Sequence, residues 1–186
     1  DELQAMNDEV YAWIEVPGTV INYAVVQSAT DDLFYINHAV DKSYFSGGSI
    51  FSQRYNTTTF QDSMTVLYGH NSRSQAMFAQ LNNFADASFF EQNQSIYIYT
   101  PEKVYEYQIF AAYPHSSDHL LLCNDFNDPE QFAAYFDSLA DGVNCNYRRD
   151  LFPQFGDKVL TLSTCYRQNR TQRFLVQGVL TQELKK

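Results

Sequence analysis

Short segments in which apolar and polar residues alternate recur along the chain between residues 19 and 180. Their sequences are TVINYAVVQ, GSIFSQ, SMTVLYGH, SIYIYT, KVYEYQIFAAY, KVLTLSTC and RFLVQGVL. Most are rich in β-branched and aromatic residues, and turn-forming residues bound many of them, which is typical of strands. When the first segment is split in two, the count reaches about eight. Seven or eight strands in one domain indicate a closed or nearly closed β-barrel.

An N-terminal helix is predicted ahead of these strands. In the segment ELQAMNDEVYAWI the apolar residues have helical spacing, and Pro17-Gly18 ends the pattern. The residues that carry this spacing are Leu3, Met6, Val10, Trp13 and Ile14.

Two further helices are predicted between strands. The segment SQAMFAQLNNF would begin at a cap on Ser72 or Ser74 and bury one face. The segment DPEQFAAYFDSLADG would begin with Asp128 as cap and Pro129 in the first turn, and would end at Gly142. The predicted buried residues are Met77, Phe78, Leu81 and Phe84 in the first helix, and Phe132, Tyr135, Phe136 and Leu139 in the second.

Length and composition favour one folded domain over residues 1–186. The 186 residues are 45% hydrophobic, without an internal repeat or a linker segment. The formal net charge of −10 argues against nucleic acid as a partner, because a phosphate binder needs a basic surface. The sequence has no apolar run of 18 or more residues, so we expect contact with a membrane only through an N-terminal anchor absent from this chain.

The chain has three cysteines, Cys123, Cys145 and Cys165. No C-x-x-C pair occurs, and the acidic residues are dispersed, so we expect neither a metal site nor another cofactor. A disulfide between Cys123 and Cys145 stays open, because spacing alone does not establish one.

Cys165 ends the strand KVLTLSTC, where the side chains alternate between two faces. Leu160 and Leu162 share one face, which belongs to the core. Thr161, Ser163 and Cys165 share the other, so the thiol lies among small hydroxyl groups on a less apolar face. A structural cysteine would more naturally share the side of the leucines.

Arg173 opens the next strand after a seven-residue connection, residues 166–172. A hairpin of this length returns the new strand beside the end of the old one, so the guanidinium is expected within several Å of the thiol. A fixed cation there favours the thiolate and can hydrogen bond to a substrate oxygen. Arg167 and Arg170, within the connection, fit solvated surface charges better.

His70 is the best of four candidates for the acid that such a thiolate needs. It lies at the end of SMTVLYGH, on the same face as Met64, Val66 and Tyr68, and Gly69 permits close backbone approach. The other histidines, His38, His115 and His119, lie in loop-like or polar segments and are expected to be exposed.

These residues together resemble the sortases, cysteine transpeptidases of Gram-positive bacteria. The resemblance is carried by LTLSTC, by the arginine on the following strand and by YGHN about a hundred residues upstream. The segments YAWIEVPGTVINYAVVQ, GGSIF, YEYQIFAAY and DKVLTLSTC are similar to class B members. The resemblance implies a closed eight-stranded barrel with an N-terminal helix and an extra helix between the sixth and seventh strands.

The resemblance also implies the reaction. Cys165 would attack the Thr carbonyl of an LPxTG-like or NPxTG-like sorting signal, and His70 would protonate the departing Gly amine. Arg173 would bind the signal and the oxyanion, and an amine would resolve the thioester. That amine would come from a peptidoglycan cross-bridge or from a pilin lysine, at the extracellular face of the cell membrane.

The pocket wall implied by the resemblance comprises six further residues. Ser163 lies on the face of the nucleophile, and the backbone N–H of Tyr166 would help to bind the oxyanion. The remaining wall residues would be Ile36, Ser117, Leu121 and Leu122.

Three other functions stay open on the sequence alone. A pilin polymerase would use the same chemistry with a lysine amine. A Cys-His hydrolase would resolve the thioester with water. A non-enzymatic peptide-binding barrel would leave Cys165 inert.

Overall fold

The computed structural model describes residues 2–142 and 145–186, and its framework is a closed barrel of eight strands with few helices. A ninth strand of two residues lies outside the barrel. The strands are β1 (Val10–Glu15), β2 (Asn22–Val26), β3 (Ile50–Phe51), β4 (Met64–Tyr68), β5 (Ser95–Tyr99), β6 (Lys103–His115), β7 (Asn146–Tyr147), β8 (Val159–Cys165) and β9 (Arg173–Lys185).

The strand order around the barrel is β5-β1-β2-β3-β4-β8-β9-β6, and pairing of β6 with β5 closes it. The pairs β2–β3 and β4–β8 are parallel and the others are antiparallel. The short β7 adds to β6 beside β5. Strand β8 therefore lies between β4, far away in the sequence, and β9, the strand that follows it.

Four α-helices accompany the barrel in the described residues: α1 (Glu2–Met6), α2 (Ala87–Gln92), α3 (Leu120–Cys123) and α4 (Pro129–Leu139). Helix α4 begins as predicted, because the Asp128 carboxylate accepts a hydrogen bond from the Gln131 N–H and Pro129 lies in the first turn. It lies between β6 and β8, which are the sixth and seventh strands of the barrel. Within the described part of the chain, none of the helices has the length and apolar character needed to cross a bilayer.

Among the described residues, the two largest apolar cores lie on opposite sides of the sheet. The barrel interior contains Leu160 and Leu162 of β8 with Phe174 and Val176 of β9, all fully buried. The outer core packs Phe132, Phe136 and Leu139 of α4 against the outer face of β4, β6, β8 and β9. The strand that ends at Cys165 is therefore buried on both faces.

The predicted N-terminal helix is present but shorter than expected, and its second half is wrong. Helix α1 stops at Met6, and residues 10–15 form β1. In β1 the buried residues are Val10, Ala12 and Ile14, a two-residue period. The segment VYAWIE consists mainly of β-formers, and pairing with β2 and β5 overrides the apparent helical spacing.

The predicted helix over residues 74–84 is also wrong in type, although its buried residues are confirmed. Met77, Phe78, Leu81 and Phe84 are buried, but the segment forms a 3₁₀ helix over Ala79–Ala85. Gln75 and Met77 have φ angles of 62° and 56°, which an α-helix excludes. The Phe78 N–H donates to the His70 carbonyl at 3.0 Å, so this segment folds back onto the end of β4.

Candidate active site

A groove of about 270 Å³ opens where four strand termini meet. His70 follows β4, Cys165 ends β8, Arg173 begins β9 and His115 ends β6, and all four line the groove. The parallel pairing of β4 with β8 brings their carboxyl ends to one edge of the barrel, and the antiparallel β8–β9 hairpin returns Arg173 there. The topology thus places a thiol, a guanidinium and the imidazoles of His70 and His115 in one cleft.

Cys165 and Arg173 are in direct contact. They are Cα partners in the β8–β9 pair, and Arg173 Nη1 donates to Cys165 Sγ at 2.9 Å. A guanidinium is always charged near neutral pH, so this contact stabilises negative charge that develops on the sulfur. The remaining N–H groups of the guanidinium are suited to bind an oxygen of a substrate.

The two faces of β8 differ in chemistry, as the alternation predicts. Leu160 and Leu162 point into the barrel core, while Thr161 and Ser163 lie on the face of Cys165. Thr161 is fully buried, and its hydroxyl accepts a hydrogen bond from Gln177 Nε2 at 2.9 Å. Ser163 lines the groove next to the nucleophile.

His70 is half-buried at the mouth of the groove. Its Nε2 lies 2.5 Å from the carbonyl oxygen of Ile36, which can only accept, so Nε2 carries a hydrogen. The Ile36 carbonyl therefore fixes the orientation of the ring.

The backbone just before His70 is tightly packed. A Cβ on Gly69 would lie 2.6 Å from Ile50 Cδ1 and 2.7 Å from Phe78 Cγ, both in the barrel core. Gly69→Ala is therefore expected to lower the free energy of unfolding by about 1–3 kcal/mol, and to reduce activity by moving His70. Urea denaturation with a parallel activity assay checks this. Wild-type values of both would contradict the packing described here.

The groove walls as a whole are more apolar than polar. Its polar members include Ser117 and Ser163, both predicted, and its apolar members include Ile36, also predicted. Burial raises the pKa of Tyr68, another wall residue, to about 12, although Arg173 lowers it in part. Tyr68 therefore stays a neutral phenol at physiological pH.

Leu121 and Leu122, predicted for the wall, lie elsewhere in the structure. Both line a neighbouring, more polar depression, and Leu122 is 62% exposed. The leucine that lines the groove is Leu120, the first residue of α3 and 5% exposed. Successive helical residues are separated by about 100°, so an error of one position points the side chain out of the groove.

The backbone of Tyr166, predicted to help bind the oxyanion, makes a main-chain hydrogen bond in this structure. Its N–H donates to the Gln172 carbonyl at 3.0 Å and closes the β8–β9 connection. Its ring is buried in the barrel core and stacks on Phe174 with centroids 5.3 Å apart. The N–H groups of Arg173 are donors on the Cys165 side of the groove.

The histidines expected to be exposed are instead half-buried. The His38 ring stacks on Phe34 at 4.0 Å. His115 and His119 both line the groove, and His119 Nε2 bonds to Gln53 Oε1 at 2.7 Å. The polar sequence PHSSDH suggested exposure, but both histidines of this segment contribute to the wall of the groove.

All three cysteines are free thiols in the described structure, so the possible Cys123–Cys145 disulfide is not formed. Burial raises the pKa of Cys145 to about 11, while Cys123 is exposed. Among the described residues, no group of three or more His, Cys, Asp or Glu side chains is placed to hold a metal ion.

Iodoacetamide is therefore expected to label all three thiols without reductant, with Cys145 the slowest below pH 9. The thiolate is the reactive form, and the folded protein keeps Cys145 protonated up to about pH 11. The raised pKa of Cys145 also makes the free energy of unfolding depend on pH. Its contribution is fully present below pH 9, the pKa of the unfolded thiol, and is lost as the pH rises through about 11. Time-resolved peptide mass mapping measures the order. If no more than one cysteine is labelled, the result would indicate a Cys123–Cys145 disulfide instead.

Two asparagines near Cys165 were not identified from the sequence. Asn71 Nδ2 and Asn82 Nδ2 donate to the Cys165 carbonyl oxygen at 2.9 and 3.3 Å. Asn71 directly follows His70 in YGHN, and this position beside a catalytic candidate could have identified it from the sequence. Asn82 lies within a segment interpreted as an ordinary amphipathic helix, so no sequence pattern indicated its contact.

The chain matches the family model described as the sortase domain over residues 14–181. Among curated proteins, sortase B of Listeria monocytogenes is 29% identical over 181 residues, covering 96% of this chain and 72% of the relative.

Solved structures agree with this match. A Streptococcus pyogenes class B sortase involved in pilus biogenesis has a TM-score of 0.84 and 29% identity, with 97% of each chain covered. A Staphylococcus aureus sortase B–substrate complex has a TM-score of 0.85 and 26% identity, covering 97% of this chain and 83% of that one.

Proposed function

The chain belongs to the sortase family as a class B sortase, a family of cysteine transpeptidases, and we propose that it cleaves a C-terminal sorting signal between Thr and Gly. The acyl group is then transferred to an amine, which attaches the surface protein to peptidoglycan. The observation that carries this proposal is the contact of Arg173 Nη1 with Cys165 Sγ at 2.9 Å in a groove that His70 also lines.

The first half of the reaction forms a thioester. The Cys165 thiolate attacks the Thr carbonyl carbon, and the carbonyl oxygen becomes an oxyanion that accepts hydrogen bonds from Arg173. The C–N bond to Gly then breaks, its electron pair goes to the amine nitrogen, and the His70 imidazolium supplies the proton.

The second half reverses these roles with a new amine. The neutral imidazole of His70 accepts a proton as the amine attacks the thioester carbonyl, and Cys165 leaves as thiolate beside Arg173. The contact with Arg173 stabilises this leaving group as it stabilised the nucleophile.

The groove fits an extended peptide as the acyl donor. Apolar walls with a few polar groups are typical of sites that bind a short apolar motif. The similar Staphylococcus aureus structure is described as a sortase B–substrate complex, which supports substrate binding by this chain. We propose LPxTG-like or NPxTG-like signals as candidates.

Intact-protein mass spectrometry after incubation with peptides tests this function. The panel contains LPxTG-like, NPxTG-like and S/PPxTG-like peptides, each with and without triglycine. An acyl adduct on Cys165 that triglycine clears, with a ligated product, is expected. A hydrolysed peptide as the main product despite the amine would indicate a hydrolase. If none of the peptides forms an adduct, that result would overturn these candidate signals.

A pilin-polymerising role is the second candidate. It is favoured by the likeness to the Streptococcus pyogenes class B sortase involved in pilus biogenesis. The two roles differ in the amine and share the acyl-enzyme. A lysine-containing peptide that clears the thioester faster than triglycine at equal concentration would support polymerisation.

We also propose that the enzyme acts at the extracellular face of the cell membrane, because peptidoglycan amines are available there. Protease accessibility of the full-length protein in intact cells tests this location. Protection from an added protease until the cells are lysed would contradict it.

A further inference from the structure

We propose that Asn71 and Asn82 are positioning residues that hold the main chain at Cys165 in a fixed geometry relative to His70. This inference rests on the proposed transpeptidase function. Neither side chain was assigned a part in the reaction above, and both bond to the carbonyl of the nucleophile.

Asn71 takes the place of a backbone hydrogen bond at the point where β4 leaves the sheet. Tyr68 is the Cα partner of Ser163, and the Gly69 N–H still donates to the Ser163 carbonyl at 3.2 Å. In a regular parallel ladder the next bond would join the backbone of residue 71 to the carbonyl of residue 165. Here the side chain of Asn71 donates to that carbonyl at 2.9 Å. The chain can therefore turn at His70 without losing its attachment to β8.

Asn82 bonds to the same Cys165 carbonyl and also to the backbone two residues further along the chain. Its Oδ1 accepts from the Arg167 N–H at 2.7 Å, while its Nδ2 donates to the Cys165 carbonyl at 3.3 Å. The first partner only donates and the second only accepts, so both bonds require the same orientation of the amide. Asn82 is 8% exposed, which makes the loss of either bond costly.

The two amides act on groups in different places. Asn82 belongs to the 3₁₀ segment and fixes residues 165–167, whereas Asn71 is covalently next to His70. A shift of the Cys165 carbonyl relative to Asn71 therefore changes the placement of the thiol relative to the imidazole. Misplacement of reacting groups by about 1 Å can cost roughly 100-fold in rate.

The test compares Asn71→Ala with Asn83→Ala, a matched control in the 3₁₀ segment that contains Asn82. Asn71→Ala is expected to lower kcat about 10–100-fold, with KM changed less than about threefold because the groove walls are untouched. Asn83→Ala is expected to match the wild type. Asn82→Asp, which keeps the acceptor and removes the donor, provides a second variant of nearly the same shape.

A double-mutant cycle with His70→Gln separates positioning from a general structural effect. If Asn71 acts through His70, the double variant is expected to be no slower than His70→Gln alone. Additive losses, or a KM effect without a kcat effect, would overturn the inference.

Cys165 alkylation distinguishes this failure from failure of the proposed function. If the wild type forms no acyl-enzyme, the proposed function fails. Because the bond from Asn71 to the Cys165 carbonyl also holds the thiol beside Arg173, Asn71→Ala is still expected to alkylate at Cys165 about 3–10-fold more slowly than Asn83→Ala. Equal alkylation rates together with equal turnover would refute the positioning role alone.

Discussion

Replacing Cys165 with alanine is expected to eliminate the acyl-enzyme and to lower turnover by about 10⁴-fold or more. Among the described residues that line the groove, Cys165 is the nucleophile that a cation contacts, because Arg173 Nη1 bonds to its Sγ. The free energy of unfolding should change by less than about 1 kcal/mol, because one small half-buried side chain is lost at a strand end. Intact mass after peptide incubation and a thermal melt measure both effects.

Cys123→Ala provides the control for this variant. It is the same substitution at an exposed thiol outside the groove, so acylation and turnover should equal those of the wild type. A peptide adduct that persists in Cys165→Ala would assign the nucleophile to another residue. A loss of folding in Cys165→Ala would show that the thiol has a structural role as well.

Arg173→Lys is expected to lower kcat/KM about 100- to 1,000-fold, as the loss of an oxyanion donor does in other acyl-transfer enzymes. The charge is kept, but an ammonium lacks the planar group of donors that can contact the thiolate and the oxyanion together. Steady-state kinetics with the preferred signal peptide measure the loss, and the rate of Cys165 alkylation shows how much of it reflects the thiolate.

Arg170→Lys is the matched control, since Arg170 lies in the exposed β8–β9 connection and does not line the groove. It should retain wild-type kinetics. Wild-type turnover in Arg173→Lys would show that charge alone suffices at this position. Equal losses in both variants would point to the connection itself instead of the contact with Cys165.

The catalytic candidates could be found from the sequence because each lies at the end of a segment with clear strand alternation. A strand end has a defined edge, and the seven-residue connection restricts where Arg173 can return. The structure places Cys165 and Arg173 in contact and His70 in the same groove. The eight-stranded barrel and its helix between the sixth and seventh strands are confirmed.

Local pattern failed where tertiary contacts decide the conformation. The spacing of Val10, Trp13 and Ile14 fits a helix, but pairing on both sides makes that segment β1. The leucine run in α3 defines an apolar helix without fixing which residue faces the groove. The hydrogen bond of the Tyr166 N–H could not be predicted, because its partner, the Gln172 carbonyl, lies six residues away in a connection of irregular structure.

The closed barrel joins the catalytic groups by loops of very different length. The partner of Cys165 in β9, Arg173, is 8 residues away, whereas Asn71, beside His70, is 94 residues away. The entropy lost on closing a loop grows with its length, and long-range pairings form late in folding. A refolding chain would therefore pair the thiol with its guanidinium early, in a local hairpin, and acquire its acid only when β4 docks against β8. The thiol therefore becomes reactive at one step of folding, and the protein becomes competent for transpeptidation at a later step.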